Sequence, residues 1–184
     1  MEIYLIRHTK PDIAEGVCYG QSDLHVADTF IEEAKKIGNS LHGEFDRFYS
    51  SPLIRCHQLA EILEQGTPVI EPRLKEMNFG QWEMQSWDKI PKSELCPWMK
   101  DFVNRRVPDG ESMAQLVSRV KAWYGELLST GAIRVLVVTH AGPIRVILSL
   151  INGTPIEDAF KLYKPHFGEV ISLDRPTEKG RLFR

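Results

Sequence analysis

The chain has 184 residues, 42% of them apolar and 26% charged, enough for one folded domain that removes roughly 70% of its unfolded surface from water without staples. Lys and Arg number 23 against 25 Asp and Glu, a formal charge of −2; with no global positive field, neither nucleic acid nor anionic lipid is an expected partner, and any anion site has to be local. The cysteines Cys18, Cys56 and Cys96 are odd in number and lack paired metal-ligand spacing, which fits a reducing, cytoplasmic setting better than a disulfide framework.

Met1 runs straight into a strand-like Ile3-Tyr4-Leu5-Ile6, so no signal peptide is expected, and the short apolar runs Val135 to Val138 and Val146 to Ile151 predict no membrane span. After this first strand, Ala27, Phe30, Ile31, Ala34, Ile37 and Leu41 follow helical spacing. A strand is predicted at Phe45 to Tyr49, then a helix near Leu53 to Leu63 with Ser51 as its N-cap and Pro52 at its first position. Pro68 to Ile70 reads as a third strand. The stretch Gln81 to Val107, with Trp82, Trp87 and Trp98, has weak periodicity and is expected to form a cap-like insertion of short helices over one sheet edge. Glu111 and Ser112 are expected to cap a helix carried by Met113, Leu116, Val117, Val120, Tyr124 and Leu127. The strand Val135 to Thr139 leads to a helix starting at Pro143, apolar nearly all round through Ile151, and Val170 to Leu173 closes the set as a strand. Strands and helices alternate with no repeat or linker, which predicts one α/β domain over residues 1–184.

Ligands of open α/β sheets gather beyond the carboxyl ends of the strands. The first strand ends in Arg7-His8-Thr9 and the strand at 135–139 in His140-Ala141-Gly142, so parallel pairing would bring both histidines to one end of the sheet. The helix after His140 offers free backbone N–H groups and a positive dipole end. Arg55, near the start of its helix, can lean back to the same place. Together these groups suit a dianionic phosphate. Taken singly each has a commoner fate: a lone histidine is usually a surface or satisfied core residue, Arg7 a structural ion pair, Arg55 an exposed helix residue. No His, Asp or Glu spacing suggests a metal site, and no G-x-x-x-x-G-K-[ST] loop is present.

Four blocks, Arg7-His8-Thr9, Ser50-Ser51-Pro52-Leu53 with Arg55, Glu76 ahead of Phe79-Gly80, and Thr139-His140-Ala141-Gly142, resemble the histidine phosphatase (phosphoglycerate mutase-like) superfamily over nearly the whole chain. The resemblance implies a three-layer α/β/α sandwich with a mostly parallel central sheet, and hydrolysis of a small phosphomonoester through a phosphohistidine. His8 matches the nucleophile, Arg7, Arg55 and His140 the phosphate pocket, and Glu76 the acid/base; Gln21, Ala141 and Gly142 complete the expected substrate-binding set. No metal or other cofactor is expected, because a guanidinium about 4 Å from a phosphoryl charge gains roughly 4 kcal/mol at an effective dielectric near 20, before desolvation. Without the resemblance, Glu76 would be read as an ion pair with Lys75 or Arg73.

Within the superfamily, Cys18 to Asp23 and Glu76 to Met84 are most similar to the alpha-ribazole phosphatases of cobalamin nucleotide-loop assembly. Tyr19, Trp82, Trp87 and Trp98 are then expected to offer stacking faces for a benzimidazole. The alternatives are a general small-molecule phosphatase or phosphoglycerate mutase-like enzyme and, in another class, a non-catalytic phosphoprotein-binding module. The chain departs from the pattern where Ala14 stands near a phosphate-contacting Asn of many relatives, where Val26 to Ala34 lack the common Thr and Gly, and where Met84 replaces a common Gly.

Overall fold

The computed structural model describes residues 1–174; positions 175–184 of the expected domain lie outside the described residues. Five strands, β1 (Glu2–Arg7), β2 (Arg47–Ser50), β3 (Val69–Ile70), β4 (Arg134–Thr139) and β5 (Val170–Asp174), form one sheet in the order β3-β2-β4-β1-β5. The first four run parallel and β5 pairs antiparallel with β1. The β-branched centre of the sheet alternates strictly. Ile3, Leu5, Val135 and Val137 face α4 (Met113–Ser129) and α5 (Ala141–Asn152), packing on Leu116, Val120, Ile144 and Ile147. Ile6, Leu136 and Val138 face the other way, onto Ala34 and Ile37 of α1 (Phe30–Ser40) and Leu59 of α2 (Ile54–Ile62). Helices on both faces of a mostly parallel sheet make the expected three layers.

Several boundaries differ from the sequence expectation, each for a local reason. Ala27 precedes α1, its N–H donating to the Lys10 carbonyl at 3.1 Å, and Ile31 is 47% exposed instead of buried. Ser51 continues the β2 ladder by donating its N–H to the Val138 carbonyl; α2 therefore starts at Ile54, whose N–H is capped from a distance by Asp23 Oδ1 at 2.7 Å. α5 starts at Ala141, two residues before Pro143, with His140 as its N-cap. Ser112 caps α4 as expected, in a reciprocal box with Gln115. Glu111 does not cap it; its carboxylate accepts from Arg119 and from the Asn78 N–H instead.

Between Gly80 and Lys100 lie two one-turn 3-10 helices, Gly80–Trp82 and Trp87–Lys89, then α3 (Lys92–Lys100). Trp82, Trp87 and Trp98 pack edge-on or tilted on one another and on Phe79, with ring centroids 5.4–6.4 Å apart. Trp82 is 2% exposed and its indole N–H donates to Glu94 at 2.9 Å. It is core here and offers no stacking face, the usual outcome for large rings that can bury one another. The short α6 (Ala159–Leu162) packs against α5. Among the described residues no helix is long and apolar enough to cross a membrane.

Candidate active site

β1 and β4 are parallel neighbours with Arg7 paired to Thr139, so the residues that follow, His8 and His140, leave the sheet at one level. Their ring centroids lie 5.0 Å apart. His8 Nδ1 is 2.7 Å from the Thr9 carbonyl; a carbonyl only accepts, so Nδ1 carries the proton and Nε2 keeps its lone pair. That lone pair accepts from Arg55 Nε at 3.3 Å. Burial, reinforced by the charges of Arg55 and Arg7, holds His8 well below the usual histidine range. It is a neutral imidazole, the form a nucleophile needs.

Arg55 is fully buried. Its Nη1 and Nη2 donate to the carbonyls of Ser22 at 2.9 Å and Gly20 at 2.6 Å. The loop supplying these carbonyls is pinned by Glu83, whose carboxylate accepts from the Gln21 N–H at 2.9 Å, the Phe79 N–H at 3.0 Å, and the N–H and hydroxyl of Ser22. Only glycine fits at position 20, since a Cβ there would run into the Met77 carbonyl oxygen. Arg7 donates Nη1 to the Pro165 carbonyl at 2.8 Å and lies 3.7 Å over the Phe167 ring. Its Nε is buried with no hydrogen-bond partner, a donor of this chain left for an anion. His140 is buried, 2.8 Å from the Ser51 hydroxyl and 3.4 Å from Cys56 Sγ. Burial, then the Arg55 charge, holds it well below the usual histidine range too.

Glu76 occupies the place expected for phosphate. Both its carboxylate oxygens accept the Gly142 N–H at 3.1 Å, and Oε1 also accepts the Met77 N–H at 2.9 Å. Because α5 begins at Ala141, its free N–H groups and dipole hold a carboxylate as readily as a phosphate. A Cβ at Gly142 would collide with that carboxylate. Arg119 clamps the backbone leading to Glu76, donating to the carbonyls of Arg73, Lys75 and Glu76 at 2.6–2.8 Å. Gln21 Nε2 donates to the same Glu76 carbonyl at 3.0 Å, so the structure puts Gln21 beside the acid's backbone. Arg73, the bland partner for Glu76, pairs instead with Glu71 and Glu126. The structure thus gathers His8, Arg7, Arg55, His140, Glu76, Gln21 and Gly142. Ala14 is exposed.

Sequence reasoning missed the supporting residues Asp23, Glu83 and Arg119, whose roles are long-range contacts with no local signature. It also passed over Arg145, whose Nε donates to the Tyr163 carbonyl at 3.1 Å, whose guanidinium lies 4.5 Å over the Phe160 ring, and which feels the charges of Glu76 and Arg7. A signal was available, since Arg145 follows His140 by about one helical turn.

Residues 3–182 match the family model of the histidine phosphatase superfamily, branch 1. The chain belongs to that superfamily. Among curated proteins, "Putative phosphoserine phosphatase 2" of Hydrogenobacter thermophilus is 27% identical over 98% of this chain and 92% of its own length. "Probable phosphoglycerate mutase GpmB" of Erwinia tasmaniensis is 30% identical over 84% of this chain and 76% of its own. The crystal structure of the alpha-ribazole phosphatase from Shigella flexneri superposes with a TM-score of 0.87 at 24% identity, over 96% of this chain and 92% of that one.

Proposed function

We propose that this histidine phosphatase hydrolyses a small phosphomonoester through a phosphohistidine on His8, without a metal. The observation that carries this reading is the buried His8 ring, locked by Thr9 in the tautomer that aims an unprotonated Nε2 at the Arg55 guanidinium. Substrate phosphate draws Arg55 and the unpaired Nε of Arg7, and Nε2, released from Arg55, attacks phosphorus in line as the ester P–O bond breaks. Glu76, which enters this step as the carboxylic acid, gives its proton to the leaving alkoxide. The carboxylate then takes a proton from water, whose oxygen attacks the phosphohistidine and returns a neutral His8 and inorganic phosphate. Arg7 and Arg55 neutralise phosphate charge that a metal would otherwise balance.

The substrate we favour is alpha-ribazole 5'-phosphate, in cobalamin nucleotide-loop assembly. Its support is the likeness of Cys18 to Asp23 and Glu76 to Met84 to alpha-ribazole phosphatases, and these are the two segments that Glu83 ties together around Arg55 and Glu76. Of the aromatics expected to read the base, Trp82 is buried, whereas Tyr19, Trp87 and Trp98 are half-buried, Tyr19 with its ring 5.5 Å from the Arg55 guanidinium. A pure phosphoprotein-binding module would have no use for a freed lone pair and a seated carboxylate. Rapid quench into alkali after mixing with substrate should trap an acid-labile phosphoryl group on the protein, absent in His8→Ala; turnover by that variant near the wild-type rate overturns the reading. Excess EDTA should leave activity intact while vanadate inhibits. A higher kcat/KM for alpha-ribazole 5'-phosphate than for ribose 5-phosphate and phosphoglycerates supports the narrower substrate; equal values withdraw it in favour of a general phosphomonoesterase, and phosphoglycerate isomerisation would mark a mutase.

A further inference from the structure

Arg145 takes no part in these steps, yet it is held as Arg7 is. Arg7 rests on the Pro165 carbonyl and the Phe167 ring; half-buried Arg145 donates its Nε to the Tyr163 carbonyl at 3.1 Å and lies 4.5 Å over the Phe160 ring. One short segment, 160–167, therefore carries both guanidinium groups. Tyr163 has extended backbone, with φ of −114° and ψ of 115°, and Lys164 precedes a proline, which confines it to extended conformations too. The Tyr163 and Pro165 carbonyls are thus about 7 Å apart along the chain. The root of the side chain is fixed as well. Arg145 follows Gly142 by three residues on α5, and helical side chains lean back over the preceding turn, where the Gly142 N–H seats Glu76. Root and tip together place the guanidinium in the wall between Glu76 and Arg7, and it feels the charge of both. Among the described residues no carboxylate pairs with Arg145, and nothing accepts from its Nη1 or Nη2.

We propose that Arg145 is a specificity-determining residue that binds the alcohol part of the substrate, its two free Nη groups donating to ring hydroxyls of a pentose whose 5-phosphate lies on Arg7 and Arg55. This rests on the phosphohistidine reading and narrows its substrate class to sugar phosphates, to which alpha-ribazole 5'-phosphate belongs. A pentose holds its ring hydroxyls from its 5-phosphate at a distance comparable to the spacing of the two carbonyls. Hydroxyls suit this place better than a substrate carboxylate, which would face the anion that Glu76 becomes once its proton is given.

Tetrahydrofurfuryl phosphate keeps the ring and primary alkoxide of ribose 5-phosphate and lacks its hydroxyls. In wild type its kcat/KM should lie about tenfold to a hundredfold below that of ribose 5-phosphate, the range for hydrogen bonds to a charged group. Arg145→Met keeps an unbranched stem on Phe160 and removes the donors. It should bring the two esters within about threefold by losing on ribose 5-phosphate alone, with the vanadate inhibition constant unchanged. Equal values for the two esters in wild type overturn the proposal, as does a variant that keeps the wild-type preference. Equal losses on both esters overturn it too, by making Arg145 a support for Glu76 or a phosphoryl ligand. A greater loss on phosphoglycerates than on ribose 5-phosphate would make it a carboxylate reader instead. Arg145→Lys keeps the charge and loses the planar fork, so it should also lose most of the preference; a full preference there overturns the proposal even where the Met variant folds poorly. Phosphohistidine trapped in wild type alongside an unaltered preference in the variants refutes Arg145 alone; its absence in wild type refutes the underlying mechanism.

Discussion

Gly142→Ala is a change that helix physics favours and this site forbids. Alanine inside a helix is better than glycine by about 1 kcal/mol, and position 142 lies in the first turn of α5. Yet a Cβ there collides with Glu76 Oε1, lies 3.2 Å from Glu76 Cδ and comes within 3.0 Å of a Leu116 methyl. The helix backbone and the buried leucine are fixed, so the carboxylate has to leave its seat. A well-placed general acid contributes on the order of 10²–10⁴ in rate, and only where the leaving group needs a proton. Gly142→Ala should therefore lose about a hundredfold or more in kcat on an alkyl phosphate such as ribose 5-phosphate, and less than about tenfold on p-nitrophenyl phosphate, whose phenolate leaves unaided. Steady-state kinetics on both esters and a thermal melt suffice. Equal losses on the two would mean that the Gly142 N–H serves the phosphate directly; no loss would mean that Glu76 acts from another position.

Glu76→Gln should show the same preference more strongly, losing far more on the alkyl ester, and equal losses would remove Glu76 from the acid role. Met84 is exposed and has a left-handed backbone with φ of 65°, so Met84→Gly should raise unfolding free energy by about 1 kcal/mol in denaturant titration; a decrease would show that no strain is held there. His8 and His140 both titrate well below 6.5 when folded, so the unfolded chain takes up protons first as pH falls. Their stabilising contribution is complete above about pH 6.5 and declines below it by up to about 1.4 kcal/mol per pH unit for each histidine. Unfolding free energies at pH 7.5 and 5.5 should show this drop, and His8→Asn should flatten it; a pH-independent variant difference would contradict the buried neutral state.

The sheet was legible because the sequence writes it in short continuous apolar, β-rich runs: Ile3 to Ile6 and Val135 to Thr139 appear in the structure with their ends moved by a residue or less. The pairing of His8 with His140 was legible for the same reason, since parallel neighbouring strands deliver whatever follows them to one edge. What failed was local inference at helix starts. Ser51 and Pro52 look like a helix entry, but a ladder hydrogen bond to Val138 holds Ser51 extended, and its hydroxyl is directed to His140. At α5 the missing fact was again a distant partner, since nothing near Pro143 reveals that Glu76 fills the helix end. Trp82 was misjudged because burial of one ring by another is a property of the packed segment and has no signature in its spacing; Trp87 and Trp98 stay half-buried.

The partners of the arginines explain how a chain of net charge −2 builds a cationic pocket. Arg73, Arg119 and Arg134 each meet a carboxylate within 2.9 Å, and their charges are spent on structure. Arg7 and Arg55 are held by carbonyls of Pro165, Ser22 and Gly20, and Arg55 also by a neutral imidazole. Carbonyl dipoles satisfy the N–H groups and offset part of the desolvation cost without cancelling the charge. Burying the two histidines as neutral rings avoids adding two more cations to the same small volume. The nearest acid, Glu76, is held on backbone N–H groups instead of on a guanidinium. The same arrangement thus keeps both arginines attractive to phosphate and leaves Glu76 unpaired with them. A carboxylate placed against Arg55 should therefore damage this enzyme more than loss of a single carbonyl contact, because it would neutralise the charge that substrate phosphate is drawn to.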